Sequence, residues 1–268
     1  MEQELVSVIM PTYNGEEFIA ESIDSILNQT YKNLELLITD DNSASKAFLN
    51  ILDLYAKKDN RIKLFHLDKN CGPGVARNNS IKHAKGRYIA FCDSDDRWIP
   101  EKLEKQIAFI KEKNCALCCS SYILCDEKNH INGINYTPEK ITFSMYKRDN
   151  KIGCLTAVYD IKKLGQKYYM PSIRKRQDWA LFLEILKECK VCYAIKEPLA
   201  YYRIRKDSIS SKKLNLIKYN IAVYKKILHF SSIKSYLYFI FLFVPTFFIK
   251  VIKRKYDSLK FIIKKQSK

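Results

Sequence analysis

Three carboxylates follow a short apolar run and together could hold a cation. The run Tyr88–Cys92 is rich in β-formers and predicts a buried strand. Asp93, Asp95 and Asp96 come directly after it, and acids packed this closely repel one another unless something cationic lies beside them. Open α/β sheets bind ligands at the carboxyl ends of their strands. A divalent ion held by Asp93 and Asp95 would offset the repulsion and lie at the ligand-binding edge, with coordination positions left for phosphate oxygens. The alternative is an acidic strand-to-helix turn without a bound ion.

A fourth acid, Asp178, has the surroundings of a proton acceptor. It lies in the first turn of a helix expected to run through Lys187, directly after the basic run Arg174–Arg176. The helix dipole and the basic run both favour the ionised carboxylate near neutral pH. An ionised carboxylate in this position could accept a proton from a substrate hydroxyl. An N-terminal helix acid without a chemical role is the alternative.

The elements that must position these acids alternate along the first hundred residues. The predicted strands are Val6–Met10, Leu34–Thr39, Ile62–Leu67 and Tyr88–Cys92. The predicted helices between them are Phe18–Asn28, Ala47–Lys57 and Val75–Ala84. This alternation predicts an α/β fold with βα units on a mostly parallel sheet flanked by helices. Because parallel strands share their carboxyl edge, Asp40–Asp41 and Asp93 are expected to meet the Pro11–Gly15 turn there.

The second half is predicted less sharply. We expect a helix over Lys102–Lys113, strands over Ala116–Leu124 and Gly153–Tyr159, and a polar, mobile loop over Asp126–Pro138. Two Cys-x-x-Cys spacings raise a zinc site as an alternative, but they fall in apolar stretches without loop residues. Reduced, buried thiols are the preferred interpretation of the nine cysteines.

Four short sequence motifs, taken in chain order, resemble the signature of glycosyltransferase family 2. They are Ser7–Asn14, Thr39–Ser43, Gly72–Asn78 and Asp93–Asp96. The resemblance is strong over residues 4–100, and two further blocks, Gln177–Trp179 and Tyr201–Ser210, extend it. It implies a GT-A fold, a nucleotide-diphosphate-sugar donor, a divalent cation (Mn²⁺ or Mg²⁺) and inversion at the anomeric carbon.

The resemblance also implies roles for individual residues on the donor side. Pro11, Tyr13 and Asp41 would hold the nucleoside, with Asp41 facing the base. Arg77 and Asn78 would lie along the nucleotide or the sugar. UDP is the expected nucleotide.

On the reacting side, Asp95 would bind the metal, and Asp93 would lie nearer the ribose and the ion. Asp178 matches the acid that is the family's general base. Arg205 stands where the family usually has a histidine, which removes a possible third metal ligand. Arg cannot ligate a cation, so we expect Arg205, together with Arg203, to pair with the leaving diphosphate.

The charge of the chain is concentrated in its C-terminal part. Of the formal net charge of +18, residues 203–268 carry +15, from 17 basic and 2 acidic residues. Leu214–His229 reads as a basic amphipathic helix, and Tyr236–Ile249 is almost wholly apolar but shorter than the ~20 residues that span a bilayer. We therefore expect an interfacial helix on an anionic membrane surface, and no nucleic-acid partner. A helix packed on the body, or a span over Tyr236–Ile252, is the alternative.

These expectations define two regions and one function. Residues 1–210 would form a GT-A catalytic domain, with 1–100 as its nucleotide-binding half and 101–210 as its acceptor-binding half. Residues 211–268 would form a basic helical appendage that associates with the membrane. No signal peptide is evident, so we expect a peripheral enzyme on the cytosolic face of the membrane, acting in lipopolysaccharide or other polysaccharide biosynthesis on a lipid-linked or cell-surface saccharide.

Two other functions remain open on the sequence. A sugar-phosphate nucleotidyltransferase also uses an α/β sheet and a metal, but a Gly-rich triphosphate loop is missing near Pro11. The second alternative function is a non-catalytic saccharide-binding protein at the membrane surface. The presence of Asp41, Asp93, Asp95 and Asp178 argues against it.

Overall fold

A computed structural model of the protein describes residues 3–205 and 216–266. Within these residues ten strands form one sheet, in the order β3-β2-β1-β4-β9-β6-β10-β5, with β7 on β6 and β8 on β10. The strands are β1 Val6–Thr12, β2 Leu34–Asp40, β3 Ile62–His66, β4 Tyr88–Phe91, β5 Arg97–Trp98, β6 Leu117–Cys125, β7 Ile131–Asn135, β8 Lys140–Thr142, β9 Val158–Asp160 and β10 Val191–Arg203. The first four pair in parallel, as predicted.

Helices cover both faces of the sheet. They are α1 Glu16–Leu27, α2 Lys46–Lys58, α3 Pro73–His83, α4 Lys102–Glu112, α5 Phe143–Arg148, α6 Ile161–Leu164 and α7 Gln177–Cys189, followed by α8 Ile217–Lys226, α9 Ser232–Tyr238 and α10 Val244–Gln266. One core lies under α1, α2 and α4, and the other under α3 and α7. Val8 and Met10 on β1 face the first core, while Ile9 faces the second. Burial on both faces explains why β1, β2 and β4 read as largely apolar runs.

Residues 101–205 differ from their prediction in two places. Asp126–Pro138 is not only a loop, because β7 forms within it and pairs antiparallel with β6. The expected strand Gly153–Tyr159 begins instead with a 3₁₀ turn at Cys154–Thr156, and β9 starts only at Val158. Both are short strands next to β6, where pairing with a neighbour outweighs weak local propensity.

The C-terminal helices pack on α7 and β7. The ring of the buried Trp179 on α7 lies 5.5 Å from both Tyr224 on α8 and Phe243. Phe243 ends a π-helical turn, Phe239–Phe243, that joins α9 to α10. Ser258 on α10 bonds to both the backbone N–H and the carbonyl of Ile134 on β7, at 3.1 and 3.2 Å. Part of the predicted helix Leu214–His229 lies outside the described residues, and the rest forms α8.

A buried lysine makes stability depend on pH. Lys102 is fully buried, its Nζ lies 3.8 Å from the centre of the Trp98 ring, and the described residues give it no hydrogen-bond acceptor. Burial lowers the pKa of Lys102 from 10.5 to about 7. Between these values the unfolded chain keeps a proton that the folded protein has lost, so this lysine makes stability rise with pH, by up to ~1.4 kcal/mol per pH unit.

We expect Lys102→Met to remove this contribution and to raise the free energy of unfolding most at and below pH 7. Urea unfolding from pH 6 to pH 9 measures the difference between the variant and the wild type, which should shrink as the pH rises. Lys111→Met, at an exposed position on the same helix, is the control and should show no such trend. A constant difference for Lys102→Met would contradict the prediction.

Candidate active site

A cavity of about 1450 Å³ opens at the carboxyl ends of β1, β2 and β4. Nine of the ten residues predicted for the site line it: Pro11, Tyr13, Asp41, Arg77, Asp93, Asp95, Asp178, Arg203 and Arg205. Asn78 does not line it. The side-chain amide of Asn78 instead donates to the Met170 carbonyl and accepts from the Met170 N–H, at 2.9 and 2.7 Å. Asn78 therefore holds the chain before α7 in place, which differs from its predicted position along the donor.

One end of the cavity combines a fixed carboxylate with an exposed ring. The buried Asp41, just after β2, accepts hydrogen bonds from the backbone N–H groups of Cys71 and Gly72, both at 2.7 Å. Gly72 adopts a φ of 89°, which glycine reaches without strain, and Pro73 then starts α3. Tyr13 follows β1 and is half exposed. This end offers a flat aromatic surface beside backbone and carboxylate oxygens.

The two central carboxylates are each paired with an arginine. Asp93 accepts from Arg77 at 2.5 Å, and Asp95 accepts from Arg205 at 3.2 Å. Burial, and then the neighbouring Asp93, raise the pKa of Asp95. Asp96 is buried deeper and accepts the N–H of Arg203, and burial raises its pKa well above the usual range. The acids predicted from the sequence thus lie together, and cationic groups balance them.

Arg203 has a different role from the predicted one. Its side chain is 1% exposed. Its guanidinium donates to Glu21 at 2.5 Å, to the Asp95 carbonyl at 2.9 Å and to Asn129 at 2.8 Å. Because these partners already use its donors, Arg203 braces the floor of the cavity, whereas Arg205, a third exposed, remains open to a ligand. The rest of the Tyr201–Ser210 motif, from Lys206 onward, lies outside the described residues.

Asp178 lies in the first turn of α7 and is held by a chain of polar side chains. Its Oδ2 accepts from the Asn150 amide at 2.8 Å, and Asn150 Oδ1 accepts from the Tyr146 hydroxyl at 2.8 Å. Burial by itself would lower the pKa of the Arg77 guanidinium. The negative charge of Asp93, and to a smaller extent that of Asp178, outweighs burial and raises this pKa. Arg77 therefore interacts electrostatically with both acidic sites.

Helix α10 forms a wall of the cavity that sequence reasoning missed. Its contributions are Thr246, Ile249, Lys250, Lys253, Arg254 and Asp257. Lys250 Nζ donates to Asp149 Oδ1 at 2.6 Å and to the Asn150 carbonyl at 2.9 Å. The spacing of these positions by three, four or seven residues, beginning inside an apolar run, was the available signal.

The comparison with family models decides what this cavity belongs to. The model of "Glycosyl transferase family 2" matches residues 7–163, more than half of the chain. The chain belongs to glycosyltransferase family 2. The predicted family, and with it the prediction of an enzyme that transfers sugars, is confirmed.

Relatives of similar length agree with this assignment. The putative teichuronic acid biosynthesis glycosyltransferase TuaG of Bacillus subtilis is 40% identical over 229 residues, which cover 84% of this chain and 90% of that protein. The Escherichia coli protein WfgD is 40% identical over 222 residues, covering 81% and 84%. It is described as a UDP-Glc:alpha-D-GlcNAc-diphosphoundecaprenol beta-1,3-glucosyltransferase.

Solved structures show the same fold. S. aureus TarS in complex with UDP-GlcNAc matches with a TM-score of 0.68 and 20% identity, over 87% of this chain and 69% of that one. The mannosyltransferase PcManGT from Pyrobaculum calidifontis, in complex with GDP-Man and Mn²⁺, matches with a TM-score of 0.59 and 16% identity, over 86% and 66%. These likenesses confirm the predicted GT-A fold.

The residues present fit a divalent cation held together with a ligand. Among the residues that the structure describes, no cluster of three or more His, Cys, Asp or Glu side chains forms a cage. Asp93 and Asp95 instead offer two carboxylates, each about 30% exposed, to the cavity. Hard divalent ions often bind to one or two carboxylates and complete their coordination with phosphate oxygens and water. The raised pKa of Asp95 marks a place where added positive charge would be stabilising.

Lys250 ties α10 to the residue that orients Asp178, and its removal should show this. Asp149 is 1% exposed, and among the described residues Lys250→Met leaves it with Lys151, at 3.6 Å, as its ion-pair partner. We expect a loss of about 3 kcal/mol in unfolding free energy, since a broken buried pair leaves an uncompensated charge. We also expect a kcat about tenfold lower, with the donor KM unchanged, measured far below the melting temperature.

The double variant Asp149→Asn/Lys250→Met removes both charges and separates the two effects. It should recover most of the stability, because no unpaired charge remains buried. It should keep the lower kcat, because Asn150 still lacks its contact from α10. Equal kcat for the double variant and the wild type would contradict a positioning role for Lys250.

Proposed function

We propose that this enzyme transfers a sugar, with inversion, from a nucleotide-diphosphate donor to a saccharide linked to a lipid carrier or growing at the cell surface. UDP is the nucleotide we favour. The observation that carries the proposal is one cavity that is lined by the Asp93/Asp95 pair, by Asp178 and by Arg77, which pairs with Asp93.

On the donor side, we propose that the nucleoside lies against Pro11 and Tyr13, with Asp41 facing the base. The fixed Asp41 carboxylate and the exposed Tyr13 ring support this placement, since a base can stack on the ring and donate to the carboxylate. The diphosphate then lies toward Arg205, Asp93 and Asp95. A divalent cation, Mn²⁺ or Mg²⁺, held by Asp95 and Asp93 would neutralise charge on the departing diphosphate.

On the acceptor side, Asp178 is the proposed general base. The Asn150 hydrogen bond orients its carboxylate, and the carboxylate takes the proton of the attacking hydroxyl as the new glycosidic bond forms. Attack from the side opposite the diphosphate inverts the anomeric carbon. Arg205 stabilises the negative charge that the leaving diphosphate gains, an interaction that strengthens toward the transition state.

The acceptor class is inferred from the relatives. WfgD and a second Escherichia coli protein, WfaP, which is 35% identical over 78% of this chain, both carry names that specify a GlcNAc-diphosphoundecaprenol acceptor. TuaG is named for teichuronic acid biosynthesis. We propose that this chain likewise extends a lipid-linked saccharide in the synthesis of a surface polysaccharide.

A donor screen tests the proposal. The purified protein is incubated with UDP-, GDP- and dTDP-sugars in Mn²⁺ and then in EDTA, with GlcNAc-diphosphate on a short alkyl chain as acceptor. We expect slow release of UDP from one sugar without acceptor, and faster, metal-dependent transfer with it. Neither binding nor turnover of any nucleotide sugar would overturn the proposal.

Residues 211–268 are proposed to bind the cytosolic face of an anionic membrane. In the described part, Ser232–Lys265 is one helix of 34 residues, long and apolar enough by length and composition to cross a membrane, and only 11% of its most apolar window is buried. Lys250, Lys253 and Arg254 line the cavity, which supports a helix lying on the surface with these three cations on the protein side. The apolar stripe of this helix, Phe248, Ile252, Tyr256, Leu259 and Ile263, is more than half exposed, and Lys255 and Lys260 lie outside the cavity as well.

Membrane extraction distinguishes a surface helix from a spanning one. A peripheral protein should leave membranes in alkaline carbonate, and its binding to vesicles should weaken when phosphatidylserine is replaced by phosphatidylcholine. Ile252→Glu/Leu259→Glu should reduce vesicle binding at least tenfold while the soluble-acceptor activity stays unchanged. Retention in carbonate would indicate a span instead.

A further inference from the structure

The polar face of α10 adds two positive charges to the cavity, Lys253 and Arg254, that are not part of the proposed donor site. Lys253 and Arg254 line the cavity, and within residues 3–205 and 216–266 neither forms an ion pair or a hydrogen bond. Three other cations that line the cavity are already paired with carboxylates: Arg77 with Asp93, Lys250 with Asp149, and Arg203 with Glu21. Lys253 and Arg254 are therefore available for an anion that the protein does not itself supply.

These two cations lie on the acceptor side of the cavity. Helix α10 is attached to β7 through Ser258 and to Asn150, the residue that orients Asp178, through Lys250. In the sheet, β6, the strand that carries β7, is four positions from β2, which ends at Asp40. At a strand spacing of about 4.8 Å this separates the two by about 19 Å. The proposed position of the donor's diphosphate, at Asp93 and Asp95, lies between β2 and β6. Helix α10 is therefore on the far side of Asp178 from the nucleotide, where the acceptor would bind.

The same helix also carries an apolar path away from the cations. Ile249 both lines the cavity and is 66% exposed, so the cavity wall and the apolar stripe meet at this residue. From there the stripe continues through Ile252 and Tyr256 along the helix. A ligand with an anionic group joined to a long apolar chain would fit this surface, with its anion at the cations and its chain along the apolar stripe. Asp257 is the carboxylate that α10 adds to the cavity, and the face stays net positive with it.

We propose that Lys253 and Arg254 bind the phosphate or diphosphate that links the acceptor saccharide to its lipid. The saccharide then extends toward Asp178, and the lipid leaves the cavity past Ile249. The site thereby selects acceptors by the charge of their linkage to the lipid. This inference rests on the proposed function, because it assigns the acceptor subsite of the same cavity.

The test uses Lys253→Gln/Arg254→Gln and two soluble acceptors that differ only in their linkage: GlcNAc-diphosphate on a short alkyl chain, and the O-alkyl glycoside of GlcNAc. Removing two charge-assisted contacts should raise the KM for the diphosphate acceptor at least 30-fold. The KM for the neutral glycoside, the KM for the donor and the rate of donor hydrolysis without acceptor should stay within twofold. The unchanged donor hydrolysis also shows that the variant is folded.

Lys255→Gln/Lys260→Gln is the matched control, since it removes the same charge from the same helix at positions that do not line the cavity. It should leave the KM for the diphosphate acceptor unchanged. If Lys253→Gln/Arg254→Gln weakens binding to anionic vesicles but leaves that KM unchanged, the pair binds membrane headgroups and the inference is overturned. An equal rise in KM for both acceptors overturns it as well. Absence of donor turnover in the wild type would refute the proposed function rather than this subsite.

Discussion

Asp178→Asn should abolish most of the transfer reaction while leaving donor binding intact. The amide keeps the size of the side chain but cannot accept the proton of the acceptor hydroxyl. Loss of a positioned general base lowers the rate by about 10² to 10⁴, and we expect a fall in kcat within that range. Isothermal titration with UDP and Mn²⁺ should give a dissociation constant within twofold of the wild type, because Asp178 is proposed to act on the acceptor and not on the nucleotide.

The control for Asp178→Asn is Glu188→Gln, which makes the same chemical change at an exposed position on the same helix. It should transfer sugar at the wild-type rate. A near-wild-type kcat for Asp178→Asn would remove this residue from the mechanism. A fall in UDP affinity that matches the fall in kcat would place Asp178 on the donor side instead.

Asp95→Asn is expected to lower turnover at least 100-fold, equivalent to about 3 kcal/mol of transition-state stabilisation, and to remove the effect of Mn²⁺ on UDP binding. The amide keeps an oxygen in the same place but loses the charge that would hold the cation beside Asp93. The protein should remain at least as stable to heat as the wild type, because burial and Asp93 already disfavour the ionised carboxyl, as the raised pKa of Asp95 indicates. Calorimetry and metal-dependent titration together separate these effects.

Asp257→Asn provides the comparison for Asp95→Asn, since it neutralises another carboxylate of the same cavity on the α10 wall. It should keep the full response to Mn²⁺. If Asp95→Asn responds to Mn²⁺ as the wild type does, or if the wild type transfers sugar at full rate in EDTA, the proposed metal role of Asp95 and Asp93 is wrong.

The part of the site on the first four strands could be predicted because its causes are local. Asp41 and Asp93 each follow a largely apolar run, and a run of that kind forms a strand buried on both faces. Parallel strands must place such residues at a common edge. The distance between Asp41 and Asp93 in the sequence therefore did not matter, and the convergence of these acids on one cavity followed from strand direction alone.

The two arginines show where this reasoning stops. Arg203 and Arg205 have the same chemistry and lie two residues apart, so the sequence predicted one role for both. Arg203 instead donates to Glu21, 182 residues away in the chain, and is 1% exposed. Arg205 remains a third exposed beside Asp95. No periodicity in the sequence indicates which of two equivalent cations a distant carboxylate will bury.

For helix α10, too, the sequence predicted some properties and the tertiary structure decided others. Composition alone predicted a basic C-terminal part with an interfacial helix over the apolar run Tyr236–Ile249, because these properties depend only on residue type. Composition did not determine what the polar face of α10 contacts. Lys250 reaches Asp149 and Asn150, about 100 residues earlier in the chain, and Ser258 bonds to β7. Only the tertiary structure decided that this face closes the cavity beside Asp178, because such contacts depend on how distant segments pack and not on either segment by itself.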